Sequence, residues 1–210
     1  MDGRANPESD GAAGGPEPRR RTGGRSARVR ESVLAAALAL VAERGFEGLR
    51  IAEVAVRAGV AETTVYRRWP TPTALISDAV TELAAQGNPA PDTGDLCGDL
   101  RRVAEQITAL LAGPGIARLV GATLSMAGDA EVDAARRRFW DTRFASNAPV
   151  VERAITRGEL PGGTVPREVL ETLAAPLYFR LLVGGEQPDG AFISRCVDDA
   201  VTLHGGRVGR

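Results

Sequence analysis

Four side chains within six residues are the part of this sequence best suited to chemistry with another molecule: Glu62, Thr63, Tyr66 and Arg67. Helical spacing turns Val65 and Trp69 to the opposite side, so the four point mainly outward. A carboxylate, a hydroxyl, a phenol and a guanidinium are donors and acceptors suited to base edges and phosphate oxygens. The elements that must position them are short. Ile51, Val54, Ala55 and Ala58 form one apolar helical stripe, ended by Gly59, and Ala55 is small where two helices would cross closely. After Val60 and Ala61 a third helix is predicted over Glu62–Arg68, stopping near Trp69 because the residue before Pro70 is pushed out of helical geometry. Two short helices joined at a glycine turn have the form of a helix-turn-helix, whose second helix enters a major groove. The alternative is a hairpin that merely packs, with its charges forming a solvated face.

Charge distribution separates these two readings. The 210 residues carry a formal charge of −1, and all 26 basic residues are arginine. The near-zero sum hides separated segments. Met1 to Pro18 has one Arg against four acids, Arg19 to Trp69 has 11 Arg against five acids, and Pro70 to Arg210 has 14 Arg against 18 acids. The helix-turn-helix segment thus sits in the one cationic part of the chain, which points to an anionic partner. Arginine is used throughout, including far from this segment, so its exclusive use is a composition bias more than a device for DNA.

Nothing comparable supports catalysis. The single histidine, His204, falls in a Gly-rich tail and is expected to be exposed and inert. Gly113-Pro114-Gly115 is followed by Arg118 where a dinucleotide fingerprint needs its third glycine, and no His, Cys or acid cluster has zinc spacing. Asp198 and Asp199 are adjacent and point apart on a helix. Cys97 and Cys196 are far apart and are expected as reduced, packed thiols. The chain is therefore expected to be no enzyme and to hold no cofactor or metal. The longest apolar run, Val33 to Ala42, is short of the roughly 18 residues of a membrane span, and the N-terminus lacks the pattern of a signal peptide. These features predict a cytoplasmic protein without membrane contact.

Residues 1–25, rich in Gly, Pro, Ala and Arg, are expected as a flexible arm. Beyond it the periodicity is helical almost throughout. Val33, Ala37, Leu38 and Val41 mark the first helix; Leu75, Ala79 and Leu83 give a buried face to a fourth, capped by Thr71 with Pro72 in its first turn. Gln86 to Gly94 breaks the pattern and is the domain boundary, separating 26–86 from 95–204. Later helices carry Leu96 to Leu110, Ile116 to Met126, a long run after Asp129 that Pro149 should kink before it ends near Gly158, Val169 to Leu181, and Phe192 to Val201 after Asp189. The expected fold is all-α, with about nine helices and no strand.

At this point the residues carry a family likeness. Val33 through Leu83, with Ile51-Ala52, Ala58-Gly59-Val60, Thr64-Val65-Tyr66 and Leu75 in motif order, resembles the N-terminal DNA-binding domain of the tetracycline-repressor (TetR) family. The remainder, marked by Arg157-Gly158-Glu159-Leu160 and by Ala175-Pro176-Leu177-Tyr178-Phe179-Arg180-Leu181-Leu182, resembles the helical C-terminal domains attached to it. The resemblance implies a homodimeric regulator, usually a repressor, that binds palindromic double-stranded operator DNA and is released by a small-molecule effector in the C-terminal domain. It implies that Glu62 and Thr63 face bases, that Thr64, Tyr66, Arg67 and Arg68 lie against phosphates, and that Arg25 and Arg28, in the arm before the first helix, reach phosphate or the minor groove.

Three departures from the family pattern stand out. Arg50 and Ile51 stand where small hydroxyl residues often start the second helix, with Arg50 itself able to reach phosphate. Ala61 replaces the usual capping Ser, and Pro72 replaces a phosphate-binding Lys. In the C-terminal domain Met126, Phe139, Trp140, Phe144, Tyr178 and Leu182 are candidates for an effector pocket. The triplet Arg136-Arg137-Arg138 reads as a solvated face or an anion site. Leu177, Leu181, Phe192, Ile193, Val197 and Val201 are candidates for the dimer interface, which the resemblance places on the last two helices.

Overall fold

The structure is a computed structural model that describes residues 22–86, 89–113 and 115–207. Among these residues it forms nine α-helices and no strand: α1 Thr22–Arg44, α2 Ile51–Ala58, α3 Glu62–Tyr66, α4 Pro72–Gln86, α5 Leu96–Leu111, α6 Ile116–Ser125, α7 Ala130–Thr156, α8 Pro166–Tyr178 and α9 Gly190–Leu203. One π-helical turn, Phe179–Val183, continues α8. Most of the predicted arm, residues 1–21, lies outside the described residues, but Thr22 to Arg25 are helical. Arg25 and Arg28 are therefore part of α1 rather than of an arm before it. The apolar stripe marks only where a helix needs a buried face; α1 continues upstream of it, with residues 24–28 exposed.

Two cores organise the chain. In the first, Val33, Ala37, Leu40 and Val41 of α1 pack on Ile51, Val54 and Ala55 of α2, with Val65 and Trp69 from the α3 segment and Leu75 and Ala79 of α4. The second joins α5, α7, α8 and α9 around Leu100, Val150, Leu173 and Val197. The cores touch through α6. Its Leu119 enters the first core, Arg118 donates to the Ala42 carbonyl, and Gly115 lies so close to α1 that a Cβ there would sit 2.5 Å from the Ala42 Cα. Glycine is needed at 115 on both counts, because its φ is also +79°.

The side-chain caps fall where the sequence places them. Thr71 accepts from the Ala74 N–H at 3.0 Å, Asp129 from those of Glu131 and Val132 at 2.9 and 3.0 Å, and Asp189 from that of Phe192 at 2.7 Å. One expectation changes. Leu83 is 38% exposed and Ala84 is buried in its place, because the end of α4 leaves the first core and turns its inner face to α7. The long α7 ends at Thr156, near Gly158 as expected, after running on through Pro149. The carbonyl that loses its partner there belongs to exposed Ala145, where water can bond it.

Candidate nucleic-acid interface

The turn between α2 and α3 is set by Gly59, whose φ of 67° lets the Val60 N–H reach the Ala55 carbonyl at 3.0 Å. Val65 and Trp69 then anchor the α3 segment from beneath. Trp69 donates from Nε1 to Asp78 of α4 at 3.0 Å, and the same carboxylate takes Arg30 of α1 at 2.6 Å. α3 itself ends at Tyr66, two residues short of the sequence expectation, yet helical bonding continues through the Arg67, Arg68 and Trp69 amides. The Arg50 and Ala61 N-caps are extended and supply no side-chain hydrogen bond, so the two departures at helix starts leave those turns uncapped.

On this support Glu62, Thr63, Tyr66, Arg67 and Arg68 are exposed, and Thr64 is half-buried. Tyr66 is 48% exposed, unusual for an aromatic side chain with no surface role. Arg25, Arg28 and Arg50 are exposed as well. The α3 segment faces the start of α1 across a cleft of about 280 Å³, with Ser26, Val29 and Val33 on one side and Thr64, Arg67 and Arg68 on the other. The first turns of α1 and the outer face of α3 thus form one surface.

Internal pairing divides the arginines of this region. Arg30 pairs with Asp78 and Glu82, Arg44 with Glu53 at 2.8 Å, and Arg57 with both oxygens of Glu43 at 2.6 and 2.8 Å. Among the described residues Arg25, Arg28, Arg50 and Arg67 make no ion pair, and Arg68 only lies over the Trp69 ring at 5.3 Å. The uncommitted cations are those on the surface shared with α3 and at the start of α2.

A second feature lies between the cores. A cavity of about 600 Å³ is lined by Phe139, Trp140 and Phe144 of α7, by Tyr178, and by Leu182 of the π turn. Trp140 joins these aromatic rings, with Phe139 edge-on at 5.3 Å, Phe144 stacked at 5.5 Å and Tyr178 edge-on at 5.1 Å. Met126 is not on its wall: α6 ends at Ser125, and Met126 leaves helical geometry, so Thr123 and Leu124 face the cavity instead. Sequence reasoning also missed Phe46 and the Thr73, Ile76, Ser77 and Val80 face of α4, which wall the cavity from the N-terminal side. Their helical spacing reads equally well as ordinary core, so no local signal distinguishes them. Arg136 joins the lining with its charge on Asp133 at 2.6 Å, while Arg137 and Arg138 are exposed.

Behind the cavity Arg143 is only 8% exposed and donates to the Ala84 carbonyl near the end of α4 at 2.9 Å. Burial lowers this guanidinium from its ordinary value. Burial pushes the Tyr178 hydroxyl up to about 12, against the opposing pull of Arg143.

Four of the expected interface residues, Leu177, Ile193, Val197 and Val201, are buried inside the chain's own second core. Helix periodicity identifies an apolar face but not its partner, and here intramolecular packing takes that face first. Leu181 and Phe192 are half-buried. The exposed apolar side chains nearby are Phe179 (66%), Val183 and Leu203. His204 is half-buried rather than free, with Nε2 3.0 Å from the Thr172 hydroxyl. Cys97 is half-buried and Cys196 buried, and burial raises the Cys196 thiol. No group of three or more metal-ligating side chains occurs among the described residues, and no single helix there is long and apolar enough to cross a membrane.

Residues 33–79 match the family described as bacterial regulatory proteins, tetR family, and residues 90–200 match the tetracyclin repressor-like C-terminal domain. The HTH-type transcriptional regulator AqdR of Rhodococcus erythropolis is 37% identical over 154 residues, covering 73% of this chain and 74% of that one. The DNA-binding transcriptional repressor TetR of Mycobacteroides abscessus is 34% identical over 183 residues, covering 82% and 91%. Among solved structures, the TetR family transcription regulator SCO0332 superposes with a TM-score of 0.72 at 28% identity, covering 83% of this chain and 97% of that one. With an all-α fold, an exposed α3 set in a helix-turn-helix and both halves matched, the chain belongs to the TetR family of DNA-binding transcriptional regulators rather than to a class of enzymes.

Proposed function

We propose that the chain is a cytoplasmic repressor that binds a palindromic operator as a homodimer and leaves it when a small molecule fills the cavity between its cores. Residues 26–86 form the DNA-binding domain and residues 95–204 the effector and dimer domain. Glu62 and Thr63 read base edges, Thr64, Tyr66 and Arg67 hold phosphates with help from Arg50 and Arg68, and Arg25 and Arg28 extend the contact from α1. The observation that carries this reading is the division of the arginines. Arg30, Arg44 and Arg57 are neutralised by Asp78, Glu82, Glu53 and Glu43, and those on the α3 surface are left for an external anion.

Repression is supported by the likeness to a relative named as a repressor. Effector release is supported by the cavity's shared wall: α4 lines it with four residues and also holds Trp69 beneath α3 through Asp78, so a ligand touching α4 acts on the support of the reading head. Phe139, Trp140, Phe144, Tyr178 and Leu182 form its far side. Dimerisation is assigned to the outer faces of the π turn and α9, where exposed Phe179, Val183 and Leu203 replace the buried candidates, with half-buried Phe192 and Leu181 beside them.

Selection of bound duplexes from a random pool tests the whole reading. The expected product is a palindrome whose half-sites are separated by one DNA turn, about 10 bp, or a multiple of it. Recovery of no enriched sequence would refute sequence-specific binding, and an enriched site without two-fold symmetry would refute the dimer.

A further inference from the structure

The cavity's walls restrict what it takes, and this inference rests on the reading of that cavity as an effector site. Its body is aromatic: Trp140 touches Phe139, Phe144 and Tyr178 within 5.1 to 5.5 Å between ring centroids. Such rings favour flat π surfaces stacked or edge-on against them. The volume of about 600 Å³ is in the range of drug-sized sites.

The charges that line it are already paired, and Arg143, which makes no ion pair among the described residues, does not line it. Arg136 is held by Asp133 at 2.6 Å, and Arg167 by Glu171 at 2.8 Å and Asp141 at 2.9 Å. Arg143, behind Tyr178, lies against the carbonyl end of α4, whose helix dipole favours a cation. A ligand carboxylate or sulfonate would have to break one of these pairs or be buried without a counter-ion, and both are costly. Among the described residues Thr73, Ser77, Trp140 and Tyr178 of the wall make no side-chain hydrogen bond, and the one hydroxyl carried by the aromatic cluster itself is that of Tyr178. Its raised ionisation keeps it protonated through the physiological range, so it is a donor.

We propose that the cavity binds a neutral, flat aromatic molecule carrying one carbonyl-type acceptor, which the Tyr178 hydroxyl bonds while Trp140 and its neighbours hold the ring system.

Three naphthalene probes of one skeleton test this on the full-length chain by calorimetric titration: 2-acetylnaphthalene, neutral with a ketone; 2-naphthoate, anionic; and 2-ethylnaphthalene, neutral without an acceptor. The ketone is expected to bind, and the carboxylate to bind at least tenfold more weakly. Tyr178→Phe should weaken the ketone three- to tenfold, the scale of one hydrogen bond, and leave the ethyl compound within twofold. Trp140→Leu should weaken both neutral probes. Absence of ketone binding, equal or tighter binding of the carboxylate, or equal effects of Tyr178→Phe on ketone and ethyl probes would each overturn the proposal. Operator binding measured alongside separates this from the effector reading. The expected binding pattern with no change in operator affinity supports the ligand class and refutes release, whereas release by the carboxylate alone supports release and overturns the ligand class.

Discussion

Replacing Arg67 with Ala tests whether the uncommitted arginines are the DNA-binding charges. Five such side chains, Arg25, Arg28, Arg50, Arg67 and Arg68, lie on or beside the α3 surface without an ion pair to the described residues. If each meets one phosphate in both protomers, a dimer neutralises up to about ten phosphates, and log K falls against log salt with a slope of about −9. Doubling the salt then weakens binding about 500-fold. Arg67→Ala removes two contacts per dimer, so the slope should flatten to about −7 and the same doubling should cost only about 150-fold. Fluorescence anisotropy of the selected operator at four or five NaCl concentrations measures both slopes. Arg57→Ala is the control, because that guanidinium is bound to both oxygens of Glu43 and should leave the slope unchanged. An unchanged slope in Arg67→Ala, or an equal flattening in Arg57→Ala, would refute the argument that internal pairing decides which arginines reach DNA.

Four further outcomes follow from the geometry. Gly59→Ala meets only the strain of a φ of +67°, and Gly115→Ala meets both a φ of +79° and a 2.5 Å contact with the Ala42 backbone. Denaturant unfolding should show losses of about 1 and about 3 kcal/mol respectively, and equal losses would contradict the close approach of α6 to α1. Ala61→Ser adds a capping hydroxyl to an N-cap already extended at φ −68° and ψ 139°, and should raise stability by about 1 kcal/mol in the same assay. In a Tyr66→Phe background, absorbance titration should find the remaining tyrosine, Tyr178, ionising near about 12. Because its folded value lies above the unfolded one, the stability it confers is complete below pH 10 and is lost as pH rises toward 12, by roughly 2–3 kcal/mol. Val183→Glu places a charge on the exposed apolar surface of the π turn, and sedimentation should show a monomer; a persistent dimer would move the interface elsewhere.

Most of the helical architecture was legible in the sequence because its signals are local. Gly59, Pro70, Thr71, Asp129 and Asp189 each act within a few residues, through φ, a missing N–H or a cap, and each marks an observed helix boundary. The errors arose where a local pattern left its partner unspecified. The stripe through Leu75, Ala79 and Leu83 assumed one straight face, but α4 passes from one core to another and exposes Leu83. The stripe through Ile193, Val197 and Val201 was apolar enough for an interface, and the chain's own α5 and α8 cover it.

By itself the sequence determined that a helix-turn-helix lies in the cationic part of an otherwise acidic chain, since periodicity, turn residues and charge counts are properties of neighbours along the backbone. It could not say which arginines stay uncommitted. Arg30, Arg44 and Arg57 are neutralised by carboxylates 48, 9 and 14 residues away, and only folding brings those acids within reach. The cavity is likewise a product of tertiary structure, because its walls come from Phe46 and α4 beside the first core and from α5, α6, α7, α8 and the π turn beside the second. Pairing and enclosure depend on distances in space, and those are fixed only when the two cores pack against each other.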